Sequence, residues 1–366
     1  MNRVPIAYTI NDIYTKPLMA QLVSLYEHAK ESTIYDLYII SRDLSTENKQ
    51  EIGNLVYELC AKAKVQFVDI TSDQARIIPN IGSWGREVNY RGLLPELLPD
   101  IDKIIYLDAD TLVLEDISHL AELDLDDHPY AASADVSEYN QHLVEIARIE
   151  RNFVIKDIVL THGYINTGVL VINLAYWRQH HWQSEFIRLL NIFVKYRVDV
   201  FPDQDALNYL AIRDGINRIY YLPSTYNSLF THNVSSITEN HVHFDMTAPS
   251  YDWYSHVRMI YRNRYLSKNL DARIMMDRVV IIHFCSWKPW VATRGSDHFV
   301  SLFTPYAQRV GLLIPPKSSP APQTALEKVK DSLRLQNLFR KYKKEKLIIF
   351  IIFSLGVTSG YLLSIF

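Results

Sequence analysis

Apolar and polar positions switch between two periods along the first hundred residues. Val4 to Thr9 is an apolar run rich in strand formers, and a helical pattern follows from Lys16 to Lys30. Asp36 to Ile40 reads as the next strand. Ser45 or Thr46 is placed to cap a helix carrying Ile52, Leu55, Val56 and Leu59, before a third strand from Val65 to Ile70. Strand, helix, strand, helix, strand predicts a parallel α/β sheet with right-handed crossovers. Ligands of such sheets bind beyond the carboxyl ends of the strands. Asn11, Asp12 and Tyr14 follow the first strand, so they are expected on that rim. No Gly-x-Gly-x-x-Gly or Walker A glycine loop occurs there, so phosphates must be held in another way.

Further along, Asn89 to Leu98 reads as a short amphipathic helix carrying Arg91. The run Ile104-Ile105-Tyr106-Leu107 then ends abruptly in Asp108-Ala109-Asp110, a buried strand emerging at its carboxyl end. Residues two apart in a strand share a face, so Asp108 and Asp110 can lean toward one point beyond the sheet. That point suits a divalent cation with open positions for phosphate oxygens. The bland alternative is a strand-ending turn in which the aspartates cap the next element.

Pro129 to Ala134 predicts a strand closing on Asp135, and Gly163 to Asn173 a buried strand entered through a polar turn that includes Asn166. A helix with Trp177, Phe186, Leu189, Leu190 and Phe193 on one face comes after it. Next is Phe201-Pro202-Asp203-Gln204-Asp205, more polar than a helix start requires. Residues 215 to 278 show little periodicity. Val279 to Phe284 is another buried strand, ending in His283 with Lys288 close behind. Neutral imidazole ligates Mn2+ alongside carboxylates, and a lysine can hold phosphate as a point charge. A lone His at a strand end can equally be a satisfied core residue.

Composition adds limits to this picture. With 48% apolar and 22% charged residues over 366 positions, the chain can bury a substantial core in one large or two modest domains. Cys60 and Cys285 are too few for a disulfide framework, and no signal-peptide pattern opens the chain, which points to a reducing compartment. The net charge of -3 hides an asymmetry, because residues 324–346 carry eight Lys or Arg against three acids. The remainder is acidic, which argues against nucleic acid as a ligand.

Taken in order, Tyr-Leu-Asp-Ala-Asp at 106–110, Asn-Thr-Gly-Val-Leu at 166–170, Asp-Gln-Asp at 203–205, and His-Phe with Lys-Pro-Trp within 283–290 resemble the motifs of the family-8 retaining glycosyltransferases. Bacterial lipo-oligosaccharide galactosyltransferases and glycogenin are members of that family. The resemblance runs from about Ile6 to Trp290. It implies a single α/β domain of the glycosyltransferase-A type, with a mixed, mainly parallel sheet, and a UDP-hexose donor. It also implies Asp108, Asp110 and His283 as ligands of Mn2+ (or Mg2+), Asn11, Asp12, Tyr14 and Arg91 around the uridine and sugar, and Lys288 on the β-phosphate. Asp135, Asn166, Asp203 and Gln204 would face the transferred hexose, with Gln204 beneath the anomeric carbon and Asp203 the carboxylate to nominate with Asp135 as a nucleophile. Two departures stand out: the first loop reads Asn11-Asp12-Ile13-Tyr14 where the family usually has Asp-Asp-Asn-Tyr, and the last motif, which in the family usually has a Gly after the His and one more residue before the Lys, here has Cys285-Ser286-Trp287 in a shorter gap, without the glycine that would let backbone approach the β-phosphate.

Two other readings compete with transfer. One is a haloacid-dehalogenase-type phosphohydrolase, although its motif wants Thr or Val where Leu112 stands. The other is a non-catalytic sugar-nucleotide-binding protein of the same fold.

The tail carries a signal independent of any family. Residues 1–313 form the expected catalytic domain and 314–323 a Pro-rich linker. Residues 324–346 read as a basic amphipathic helix, and 347–366 as twenty uncharged residues long enough to span a bilayer. Lys341 to Lys346 flank only the N-terminal side of that span, which places the domain on the cytoplasmic face of a bacterial membrane, near a lipid-linked or surface-glycan acceptor. Gly356 and Gly360 offer a small-xxx-small seam for a homodimer.

Overall fold

The structure, a computed structural model, describes residues 2–82, 85–135, 140–152, 164–198, 200–213, 218–229, 234–238, 241–244, 279–285, 288–291 and 297–315. The linker beyond Pro315, the basic helix and the apolar tail expected above lie outside these residues. Among the described residues, no helix is long and apolar enough to cross a membrane.

The first third agrees closely with the sequence pattern. Strand β1 (Asn2–Thr9) leads through a short 3-10 turn into α1 (Thr15–Glu27), succeeded by β2 (Thr33–Ser41), α2 (Thr46–Leu59) and β3 (Val65–Asp69). Ser45 is the cap of α2, its hydroxyl accepting the Asn48 N–H at 3.3 Å. After α3 (Ser72–Ile77), the stretch expected as one amphipathic helix is instead a 3-10 run over Arg86–Leu93 that leads into α4 (Leu94–Leu97). Then come β4 (Lys103–Leu107), β5 (Thr111–Val113), β6 (Tyr130–Ala134), α5 (Asn140–Ile149) and β7 (Ile165–Asn173).

The single helix expected after β7 is two helices, Leu174–Gln179 and Trp182–Tyr196. They break at His181, whose left-handed φ of 57° turns the chain and lets Trp182 stack against Trp177 at 5.6 Å. The helix Pro202–Ile212 and strand β8 (Ile219–Leu222) complete the main layer. Strand β9 (Ser228–Leu229) is next, with β10 (Val234–Thr238) and β11 (His241–Phe244) as a separate antiparallel ribbon. The last strand, β12 (Ile281–His283), is shorter than expected and belongs to a second, three-stranded sheet of order β5-β12-β9.

The main sheet has seven strands in the order β3-β2-β1-β4-β7-β6-β8. It is mixed and mainly parallel, since only β7 runs against its neighbours, β4 and β6. Both faces are covered, so inner strands are largely apolar on both sides. Ile6, Ile105, Leu107, Val169 and Val171 face one core with α1, and Ala7, Ile104, Tyr106, Leu170 and Ile172 face the other with Trp177 and Phe186.

One carboxylate fastens the edge of the first core. Asp116, beyond β5, accepts from the Lys30 N–H and the Tyr35 hydroxyl, each at 3.0 Å, and from the Ser118 hydroxyl. Burial works to raise its pKa, but the Ser118 and Lys30 bonds outweigh burial and lower it to about 2. A depressed folded pKa gives stability that is full above the unfolded value and lost as pH falls through the folded one. Asp116→Asn is therefore expected to cost about 2 kcal/mol at neutral pH in denaturant titrations. The gap from wild type should narrow below about pH 4 and close near pH 2.

Candidate active site

Because β7 is antiparallel to β4, the start of one strand meets the end of the other. Leu107 pairs with Val169, and the Asp108 N–H donates to the Gly168 carbonyl at 2.8 Å. Ala134 of β6 pairs with Ile165, and the Asp135 N–H reaches the Tyr164 carbonyl at 2.7 Å. Three motifs far apart in the chain thus open on one rim.

The second sheet brings the fourth. His283 pairs with Thr111, and the Phe284 N–H donates to the Asp110 carbonyl at 2.9 Å. This register sets His283 Nε2 at 3.2 Å from Asp110 Oδ1 and 3.7 Å from Asp108 Oδ2. One ligand atom from each of the three residues lies within 4.8 Å of the others. Two hard carboxylates and an imidazole suit Mn2+ or Mg2+, with coordination positions left over. Gly168 makes the approach possible: a Cβ there would lie 2.1 Å from the His283 ring.

Charge around this cluster is balanced by two cations. Arg91, only 1% exposed, bonds to Asp108 Oδ1 at 2.8 Å and to the Thr167 carbonyl at 2.6 Å, and pairs with Asp203 Oδ2 at 3.1 Å. Its guanidinium stacks 4.3 Å from the Tyr106 ring, whose hydroxyl donates to Asp108 Oδ1 at 2.9 Å. Burial would lower the Arg91 pKa, but Asp108 and Asp203 more than offset this and hold it above its usual value. Lys288 pairs with Asp110 Oδ2 and donates to the Phe284 carbonyl at 2.7 Å. Burial pushes the Asp110 carboxyl up, yet Lys288 and His283 together hold it well below the carboxylate range.

On the far side of the cluster sit the residues expected at the hexose. Gln204 spans a gap, donating through Nε2 to Asp135 Oδ2 at 3.4 Å and accepting the Thr167 N–H through Oε1 at 3.3 Å. Asn166 Nδ2 is 3.5 Å from the same Asp135 oxygen. Asp203 accepts the Thr167 hydroxyl at 2.7 Å as well as Arg91, and burial pushes its pKa up against the pull of Arg91. Asp205 lies beneath, fully buried, taking the Tyr164 hydroxyl at 2.6 Å, the Phe201 N–H and His142.

A cavity of about 750 Å³ joins these groups, a size that suits a nucleotide-sized ligand. Of the sequence-expected residues, Asn11, Tyr14, Arg91, Asp108, Asp110, Asp135, Asn166, Asp203, Gln204, His283 and Lys288 line it. Asp12 is not among the lining residues. Its Oδ1 instead accepts the Ser45 N–H at 2.9 Å and the Asn48 amide at 2.7 Å, tying the first loop to α2. Sequence reasoning missed Thr167 and Gly168 as individuals, although the polar turn before β7 signalled them. It missed Asn227 altogether, in a region without periodicity.

Known proteins resemble this chain in sequence and in fold. General stress protein A of Bacillus subtilis (strain 168) is 26% identical over 200 residues, 54% of this chain and 65% of that protein. Lipopolysaccharide 1,2-glucosyltransferase of Escherichia coli (strain K12) is 26% identical over 227 residues, 62% of each. The chain therefore spans less than two thirds of the length of both. Among solved structures, galactosyltransferase LgtC in complex with donor and acceptor sugar analogs is similar at a TM-score of 0.59 and 24% identity, over 86% of this chain and 98% of that one. That likeness shows the α/β fold. The family model for glycosyl transferase family 8 matches residues 5–294, from β1 past Lys288, and the chain belongs to that family.

Proposed function

We propose that this chain transfers a hexose from a UDP-sugar, with retention of configuration, to a lipid-linked or surface-glycan acceptor. The observation that carries the reading is the convergence of Asp108, Asp110 and His283 on one point of a cavity that also holds Asp135, Asn166 and Gln204. In this reading Asp108, Asp110 and His283 hold Mn2+ or Mg2+, which when bound neutralises charge on the diphosphate leaving group. Lys288 adds a second positive charge to that end, while Asn11, Tyr14 and Arg91 bound the nucleotide and Asp12 braces the loop that carries Asn11.

For the chemistry, a front-face displacement fits the residues better than a two-step route through Asp203. Asp203 commits Oδ2 to both Thr167 and Arg91, which lowers its nucleophilicity. In the front-face route the anomeric carbon–phosphate bond breaks as the acceptor oxygen bonds on the same face, and the acceptor proton passes to the departing phosphate. Gln204, with both ends of its amide engaged, lies rigidly under the hexose. Family membership removes the phosphohydrolase alternative. A non-catalytic binder differs from a transferase in releasing no UDP.

Relatives that act on lipopolysaccharide support a membrane-proximal acceptor. Residues 324–366 supply the means in this reading, with the basic segment on an anionic surface, the apolar span as anchor and the domain on the cytoplasmic side. Gly356 and Gly360 are the seam if the span pairs.

Three outcomes are expected. UDP-hexose turnover, measured as UDP release, should vanish in EDTA and in Asp110→Asn, the variant still folding but with a lowered thermal midpoint because part-buried Lys288 loses its partner; full activity in either condition overturns the cation assignment. Lys288→Ala should lower turnover and UDP affinity by similar factors, about 1.5–3 kcal/mol for one charge-assisted contact, and unchanged UDP binding by calorimetry would remove the lysine from the diphosphate. Deleting residues 324–366 should give a protein that leaves the membrane fraction and still hydrolyses UDP-hexose slowly; retention in the membrane without aggregation places the anchor elsewhere.

A further inference from the structure

Asn227, outside every motif, joins His283 to the hexose side of the cavity. It is 2% exposed and engaged at both ends, with Oδ1 3.0 Å from His283 Nδ1 and Nδ2 donating to Asn166 Oδ1 at 2.9 Å.

The direction of these bonds is set by one backbone group, since an N–H can only donate. Gly168 N–H lies 2.9 Å from Asn166 Oδ1, so that atom is the carbonyl oxygen, and the Asn166 amide nitrogen faces Asp135. An oxygen can receive Asn227 only if Asn227 turns its NH2 toward it. The Asn227 carbonyl then faces His283, and Nδ1 of that ring must hold a proton. Nε2, aimed at Asp108 and Asp110, is left as the nitrogen that can offer a lone pair. Gly168 closes the circuit, because the ring lies where its Cβ would be.

We propose that Asn227 is a positioning residue: it fixes the tautomer and plane of His283 for cation binding and couples that ring to the Asn166–Asp135 pair at the hexose. The proposal rests on the cation reading of the site. Ligating histidines commonly donate their second ring N–H to such an acceptor, and loss of the acceptor typically weakens metal binding about 10–100-fold. Here the acceptor is an amide whose other end is already committed, so a shift of the ring is transmitted to Asn166.

Full-length wild type, Asn227→Leu and Asn227→Asp separate this role from core packing. Free Mn2+ measured by electron paramagnetic resonance should show binding about 10–100-fold weaker in Asn227→Leu. Asn227→Asp, whose carboxylate still accepts from Nδ1, should stay within about threefold of wild type, because it retains the orienting bond. The Asp variant cannot donate to Asn166, so its KM for UDP-hexose should remain raised although its metal binding is restored. In metal-free protein, the ¹H–¹⁵N correlation of the His283 Nδ1 proton, assigned with His283→Gln, should appear in wild type and Asn227→Asp and disappear in Asn227→Leu. Wild-type Mn2+ affinity in the Leu variant, equal losses in both variants, or a bare Nδ1 in wild type overturns the proposal. Wild type that takes up no Mn2+ while keeping the Nδ1 proton overturns the cation reading instead.

Discussion

A guanidinium that cannot reach water has to be surrounded by acceptors, and Arg91 organises the centre of this protein on those terms. Its Nε donates to the Val88 carbonyl at 2.9 Å within the 3-10 run, and its other nitrogens take Thr167, Asp108 and Asp203. Four segments remote in sequence are thereby held together. Removing one partner of a buried pair leaves an uncompensated charge, at a cost of about 3–5 kcal/mol, so none of these segments can move without the others. Tyr106 reinforces the arrangement, with its ring against the guanidinium and its hydroxyl bridging Thr9 and Asp108. Asp108 is thus oriented from behind before any ligand reaches its other oxygen.

The reversal of β7 is the topological counterpart of that electrostatic constraint. In an all-parallel sheet, Asn166 to Gly168 at the start of a strand would open on the rim opposite Asp108. Antiparallel pairing puts both on one rim and lets Thr167 serve three residues at once, with its carbonyl on Arg91, its hydroxyl on Asp203 and its N–H on Gln204. The helix Pro202–Ile212 starts there because Asp205 takes the Phe201 N–H at 2.7 Å, a cap from inside the first turn. The dense polar group at 203–205 exceeds what a cap needs because only one of its members caps.

These features explain which parts of the chain were legible in its sequence. Strands β1 to β4 and helices α1 and α2 carry the period of their own structure, and Asp108-Ala109-Asp110 announces itself as charge inside an apolar run. What escaped was set by contacts between distant segments. The stretch Asn89–Leu98 has apolar residues at helical spacing, yet its first half winds as a 3-10 run in which Arg91 Nε bonds the Val88 carbonyl, and only Leu94–Leu97 is α-helical. Asp12 follows β1 as Asn11 does, but the Ser45 N–H at the cap of α2 and the Asn48 side-chain amide both bond its carboxylate, contacts that nothing in the local pattern announces. Asn227 lies in a four-residue 3-10 turn with no periodic neighbours, so nothing local marks it. Its role comes from pairing of β9 with β12, across more than fifty residues.

Lys288 shows how a sequence departure is absorbed by geometry. The gap between His283 and Lys288 is short, and it lacks the glycine that would let backbone approach a phosphate. The lysine nevertheless lines the cavity, because its ammonium folds back over the end of β12 onto the carbonyls of Phe284 and Cys285, at 2.7 and 3.4 Å. Burial works against its charge, but Asp110 outweighs burial and keeps its pKa raised. Trp290 lies on the same loop and packs on Phe303 at 5.2 Å and edge-on to Tyr14 at 6.4 Å. Lys288 is therefore held by charge and Trp290 by aromatic contact. What reaches the cavity from this stretch is the Lys288 side chain, and an ammonium at the end of a long stem needs no close backbone approach.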